Sequence, residues 1–193
     1  MSILNTLSKK ELSKIKTNVY KKDSVIFHED DKCESIGIVL EGEIIISSFL
    51  DDGNEVIYNH IHKDGLFGNN LVFSSSPLYK GNIICESDCK IAFIEKDFLI
   101  KLLKTNNEFL LNYLNIESNN SKQLNDRIRL LSMPNAIDRF YYLLHNANGK
   151  IEYDSISSLA KDLYLQRETL SRLISKLEKQ KKIIKDNNSI RKV

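Results

Sequence analysis

The alternation of apolar and polar positions along this chain changes period several times, and each change predicts a different kind of element. Residues 1–18 place Leu7, Leu12 and Ile15 among lysines, which predicts a short N-terminal helix. From Ser24 to Ile94 the apolar runs shorten and are separated by turn residues. Strands are expected at 25–27, 36–40, 43–49, 56–61, 83–85 and 91–94. The breaks are Asp30-Asp-Lys32, Glu41-Gly42, Asp51-Asp-Gly-Asn54, Lys63-Asp-Gly65 and Glu86-Ser-Asp88; the third, between two apolar runs, is a hairpin signal. Residues 96–133 return to a helical period. Leu110, Leu114, Glu117, Ser121, Leu124, Ile128 and Leu131 alternate spacings of four and three, a coiled-coil-like seam with two polar members. Pro134 ends it.

Beyond Pro134 a helix is expected over 136–144, closed by Asn148-Gly149, then a short strand at 151–153. Ile156, Leu159, Ala160 and Leu163 form one amphipathic helix. Leu170, Ile174 and Leu177 form the stripe of a second, and only Tyr164 and Leu165 precede its first residue, Gln166. That spacing is the one a helix-turn-helix requires. Ile183-Ile184 and Ile190 around Asp186-Asn-Asn-Ser189 predict a two-stranded wing. The fold class expected is therefore α+β: an N-terminal antiparallel β jelly roll over 1–105, a long dimerisation helix over 106–133 and a winged helix-turn-helix over 134–193.

Charge sharpens this division. The chain carries a formal net charge of +2, 41% hydrophobic and 28% charged residues, the balance of a soluble globular protein. Residues 134–193 hold 12 Lys and Arg against 7 Asp and Glu, an excess of +5, whereas residues 1–133 hold 16 against 19. Positive charge thus gathers in the half expected to meet phosphates. On the second helix of the pair, Arg167, Glu168, Ser171 and Arg172 fall off the apolar stripe. Arg presents two donors to guanine and Glu accepts from the cytosine amino group, so this face suits a DNA major groove. Lys181 and Lys182 follow, placed for phosphate contacts. No apolar run approaches the ~20 residues of a membrane span and Met-Ser-Ile-Leu-Asn-Thr has no signal-peptide pattern, so a cytoplasmic location and no membrane partner are expected.

Jelly roll, dimer helix and winged helix-turn-helix in this order resemble the CRP/FNR family of bacterial transcription regulators. The resemblance rests on Val25-Ile-Phe-His-Glu-Asp30, Val39-Leu-Glu-Gly-Glu43, Asp51-Asp-Gly-Asn-Glu55, Leu66-Phe-Gly68 and Arg167-Glu-Thr-Leu-Ser-Arg172. It implies a homodimer joined through Leu110, Leu114, Leu124, Ile128 and Leu131. It also implies binding to a double-stranded, inverted-repeat operator read by Arg167, Glu168 and Arg172, with RNA polymerase and a small-molecule effector as further partners. Gln166 departs from the usual helix-capping residue at its position.

The same resemblance places an effector pocket at Gly68, Asn69, Tyr79, Lys80, Leu124 and Asn125. Family members that bind cyclic AMP carry Phe-Gly-Glu and then Arg-Ser; here the residues are Phe67-Gly68-Asn69 and Tyr79-Lys80, with Leu124 and Asn125 at the adenine-contacting positions. Cyclic AMP is therefore not the expected effector. The cysteine cluster of the iron–sulfur branch is absent, and the haem ligands of other members have no counterpart, so no cofactor is expected.

His60 and His62 share one face of a strand, as in cupin metal sites, which gives the alternative of a cupin-like metal-dependent enzyme or metal sensor. The Glu and further His of such a site are missing downstream, where Leu66 and Phe67 stand. The expectation is no metal, with His60 and His62 as surface or hydrogen-bonded histidines. Cys33, Cys85 and Cys89 are odd in number without a C-x-x-C, against a disulfide framework. No catalytic constellation stands out, and an enzyme is not expected.

Overall fold

The structure is a computed structural model that describes residues 2–193 and divides into two compact units, residues 2–118 and 119–193. The first opens with a 3₁₀ turn, Ile3–Thr6, and a single helical turn, α1 (Lys9–Leu12), whose Ser8 and Glu11 form a capping box. Eight strands follow: β1 (Lys16–Tyr20), β2 (Val25–Phe27), β3 (Ser35–Glu41), β4 (Ile44–Phe49), β5 (Glu55–Ile61), β6 (Leu66–Phe67), β7 (Asn82–Cys85) and β8 (Cys89–Glu95). They form two antiparallel four-stranded sheets, β1-β8-β3-β6 and β2-β7-β4-β5, the double-sheet arrangement of a jelly roll.

The inner strands carry the isoleucines. Ile36, Ile38, Ile44, Ile83, Ile91 and Ile94 are fully buried in the core of this unit, and branched side chains fill a pleated surface well. Phe67 packs directly on β3, because a Cβ at Gly37 would lie 2.0 Å from its ring. Helix α2 (Lys96–Thr105) closes this core with Leu99 and Leu102, and the start of α3 (Asn107–Ser132) adds Phe109 and Tyr113.

Three details depart from the sequence expectation. The helix expected over 1–18 is reduced to short turns, and residues 16–20 are an edge strand instead. β6 was not anticipated at all. The helical run over 96–133 is two helices, because Asn106 leaves helical geometry (φ −125°, ψ 97°) and its side-chain oxygen accepts from Phe109 N at 3.0 Å, capping α3.

The second unit contains the end of α3, then α4 (Ala136–Asn146), β9 (Lys150–Glu152), α5 (Ile156–Asp162), α6 (Arg167–Lys179), β10 (Ile183–Lys185) and β11 (Ser189–Lys192). β9 joins the wing, giving a three-stranded antiparallel sheet β10-β11-β9. Phe140, Leu144, Leu159, Leu163, Leu170, Ile174, Leu177 and Ile190 form its core.

Candidate DNA-recognition surface and sensor pocket

Helix α5 begins where the Ser155 side chain accepts from Ser158 N at 3.0 Å. Its end is a Schellman motif: Leu165 N bonds Ala160 O at 2.9 Å, Tyr164 N bonds Lys161 O at 3.0 Å, and Tyr164 takes a left-handed φ of 53°. This motif turns the chain sharply into α6. Arg139 of α4 ties the turn down, donating to Tyr164 O at 3.0 Å and Met133 O at 3.1 Å, and Arg127 lies 5.1 Å above the Tyr164 ring.

Within α6 the apolar stripe and the polar face separate as the periodicity demands. Leu170, Ile174 and Leu177 are buried, while Arg167, Glu168, Ser171, Arg172 and Ser175 are exposed together. Gln166, at the N-cap, makes no side-chain capping bond. The helix ends in a second Schellman motif, with Lys182 N on Leu177 O at 3.0 Å, Lys181 N on Glu178 O at 2.8 Å, and Lys181 at φ 55°. Among the described residues, no ion pair engages Arg167, Glu168, Arg172, Lys181 or Lys182. Two guanidinium groups, a carboxylate and two ammonium groups thus face solvent uncommitted, on a helix and at the base of a basic wing.

In the first unit, Gly68, Asn69 and Tyr79 come together and Lys80 does not join them. Gly68 has φ 75°, and a side chain there would meet Ser35 O at 2.9 Å, Cys33 Sγ at 3.0 Å and the Tyr79 hydroxyl at 3.1 Å. Tyr79 is buried, its ring stacked on Phe27 at 4.7 Å; Phe67 and Phe93 pack in turn on Phe27. Burial, and next the neighbouring Cys33 thiol, raise the pKa of the Tyr79 hydroxyl above the ordinary phenol range. Burial raises that of the Cys33 thiol as well. Lys80 points outward, with its side chain 68% exposed and its nearest acid, Asp30, at 3.9 Å.

Asn69 is buried and committed to α3. Its amide donates to Glu117 Oε1 at 2.5 Å, and the Tyr113 hydroxyl donates to its backbone oxygen at 3.4 Å. Sequence reading did not find Glu117 in this role, since it stood only as a polar member of the helical seam. Leu124 and Asn125 belong to the second unit and are exposed. Of the expected seam, Leu114, Leu124, Ile128 and Leu131 are exposed and Leu110 is half-buried. Leu111 joins the exposed members, and these five side chains are 48–64% exposed.

His60 and His62 also have neighbours that local spacing did not reveal. Glu43 Oε1 lies 3.2 Å from Nδ1 of each histidine, and Glu86 Oε2 lies 3.2 Å from His60 Nδ1. The three cysteines are free and buried, and burial pushes the Cys85 thiol up to about 12.

Comparison with known proteins places this architecture. Residues 17–106 match the cyclic nucleotide-binding domain family. The HTH-type transcriptional regulator ArcR of Staphylococcus haemolyticus is 24% identical over 184 residues, covering 88% of this chain and 79% of that protein. The cAMP-activated global transcriptional regulator CRP of Pasteurella multocida is 25% identical over 100 residues; the match covers 52% of this chain and 48% of that regulator, about half its length. The catabolite activator protein of Thermus thermophilus shares the fold across 99% of this chain and 93% of its own, with a TM-score of 0.57 at 17% identity. These relatives are regulators rather than enzymes. Residues 17–106 thus match the cyclic nucleotide-binding domain family, and the chain as a whole, with a jelly roll ahead of a long helix and a winged helix-turn-helix, is similar to transcription regulators of the CRP type.

Proposed function

We propose that this regulator is a homodimer that reads an inverted-repeat DNA operator through α6 and responds to an effector other than cyclic AMP. The observation that carries the reading is the exposed, uncommitted set Arg167, Glu168, Ser171 and Arg172 on one face of α6. Bidentate Arg–guanine and Glu–cytosine contacts supply base discrimination, and Lys181 and Lys182 supply sequence-independent attraction to phosphates. Residues 1–105 serve as the sensor, 106–133 as the dimerisation helix and 134–193 as the DNA-binding domain. The dimer forms along the exposed apolar residues of α3, which water disfavours in an isolated chain. The protein acts in the cytoplasm; among the described residues no helix is long and apolar enough to cross a membrane.

The effector reading rests on charge. A buried cyclic phosphate needs a cation or several donors in place of its water. Tyr79 fills the interior with a neutral ring, Lys80 faces out, and Asn69 is held by Glu117.

Selection of bound duplexes from a random DNA pool tests the proposal. The expected result is an inverted repeat with half-site centres about one helical turn, ~34 Å, apart. Selected sequences without two-fold symmetry would overturn the dimeric reading.

A further inference from the structure

The strongest unassigned chemistry lies on the outer surface of the jelly roll, at the side chains of Glu43, His60, His62 and Glu86. Three neighbouring strands bring them together. Glu43 immediately precedes β4. His60 is on β5, opposite Ile45 of β4, and His62 is two residues on, on the same face. Glu86 follows β7, the other neighbour of β4, and its backbone N–H bonds Glu43 O at 2.9 Å. The ligand atoms of Glu43, His60 and Glu86 all lie within 4.8 Å of one another.

Protein groups alone leave this cluster under-supplied with donors. His60 Nδ1 carries at most one hydrogen, yet it stands 3.2 Å from two carboxylate oxygens, one of Glu43 and one of Glu86. Among the described residues neither carboxylate has a lysine or arginine partner, so two negative charges share imidazoles only. A dication at this point would meet both carboxylates at once.

The spacing also suits a metal ion. Imidazole nitrogen and carboxylate oxygen bind zinc at about 2.0–2.2 Å, and a tetrahedron of such bonds sets neighbouring ligand atoms about 3.3 Å apart. The three nitrogen–oxygen separations here are each 3.2 Å. His62 is 70% exposed and free to turn toward the ion as the fourth ligand.

We propose that Glu43, His60, His62 and Glu86 form a binding site for one divalent first-row transition-metal ion, with zinc as the reference case. The mixed nitrogen and oxygen set favours such an ion over magnesium or calcium, which take oxygen ligands. A bound ion would pin β4, β5 and the β7–β8 turn to one another. This site is independent of α6 and of the DNA reading.

The test is titration of the untagged full-length protein with zinc, by calorimetry and by thermal melting, with cobalt(II) as a spectroscopic probe. The expected result is one ion per chain at micromolar affinity or tighter, a raised melting temperature, and cobalt bands free of sulfur charge transfer. Glu43→Gln and His60→Ala should each weaken binding at least tenfold, and His28→Ala should leave it unchanged. No stoichiometric uptake at micromolar zinc, undiminished uptake by the Glu43 and His60 variants, or sulfur-to-cobalt bands from the buried cysteines would each overturn the proposal.

Discussion

At position 79 a phenol occupies space that a buried anion would need charged. The Tyr79 ring contributes to an aromatic cluster with Phe27, Phe67 and Phe93, and its hydroxyl lies beside the Cys33 thiol. Relative to a pocket built for a cyclic nucleotide, two charge-assisted bonds are lost, each worth on the order of 1.5–3 kcal/mol. That loss moves a micromolar site toward millimolar. Calorimetric titration with cyclic AMP should therefore show no saturation below about 1 mM; saturable micromolar binding that also tightened operator affinity would contradict the sensor reading. The inward course of Tyr79 was not decided by the sequence, since strand register sets which of two neighbours faces the core. Glu117 was hidden for a related reason. It is polar within an apolar seam, and only the folded chain brings it to Asn69, 48 residues away in sequence.

The elements divide into those with a strong period and those without one. β3, β4 and β8 are isoleucine-rich and buried, and their apolar runs marked them in the sequence. β1 reads Lys-Thr-Asn-Val-Tyr, is largely exposed along one sheet edge, and carries no alternation that could have announced it. β6 is two residues long. α5 and α6 were legible because Leu159, Leu163, Leu170, Ile174 and Leu177 are all buried in one core. Asn148-Gly149 announced the end of α4, whereas the turn chemistry that ends α5 and α6 was hidden. α4, α5 and α6 all end with a non-glycine residue in the left-handed region, at Asn148, Tyr164 and Lys181. For lysine that conformation costs roughly 1–2 kcal/mol, partly offset by the entropy glycine would lose on folding. Lys181→Gly is expected to stabilise the protein by about 0.5–1 kcal/mol in chemical denaturation. The same change should weaken binding to operator and random DNA alike, because it removes a phosphate contact. A destabilised variant would mean that Lys181 makes native contacts beyond its backbone role.

For the whole molecule, the account requires two copies. Leu111, Leu114, Leu124, Ile128 and Leu131 remain exposed on α3, a row of large apolar side chains interrupted by Glu117 to Ser121. Leu124→Asp combined with Ile128→Asp should yield monomers by light scattering and abolish tight operator binding, since one recognition helix alone reads one half-site. Unchanged mass would place the dimer contact elsewhere.

DNA reading is the central claim, and charge alone could imitate it, because a surface with Arg167, Arg172, Lys181 and Lys182 exposed attracts any duplex. The decisive measurement is the affinity of Arg172→Ala, beside Lys181→Ala/Lys182→Ala, for operator and for random DNA across a salt series. Arg172→Ala should cost about 1–3 kcal/mol on operator and far less on random DNA. The lysine pair should weaken both equally and reduce the salt slope. Equal losses on the two DNAs for Arg172→Ala would contradict base reading by α6.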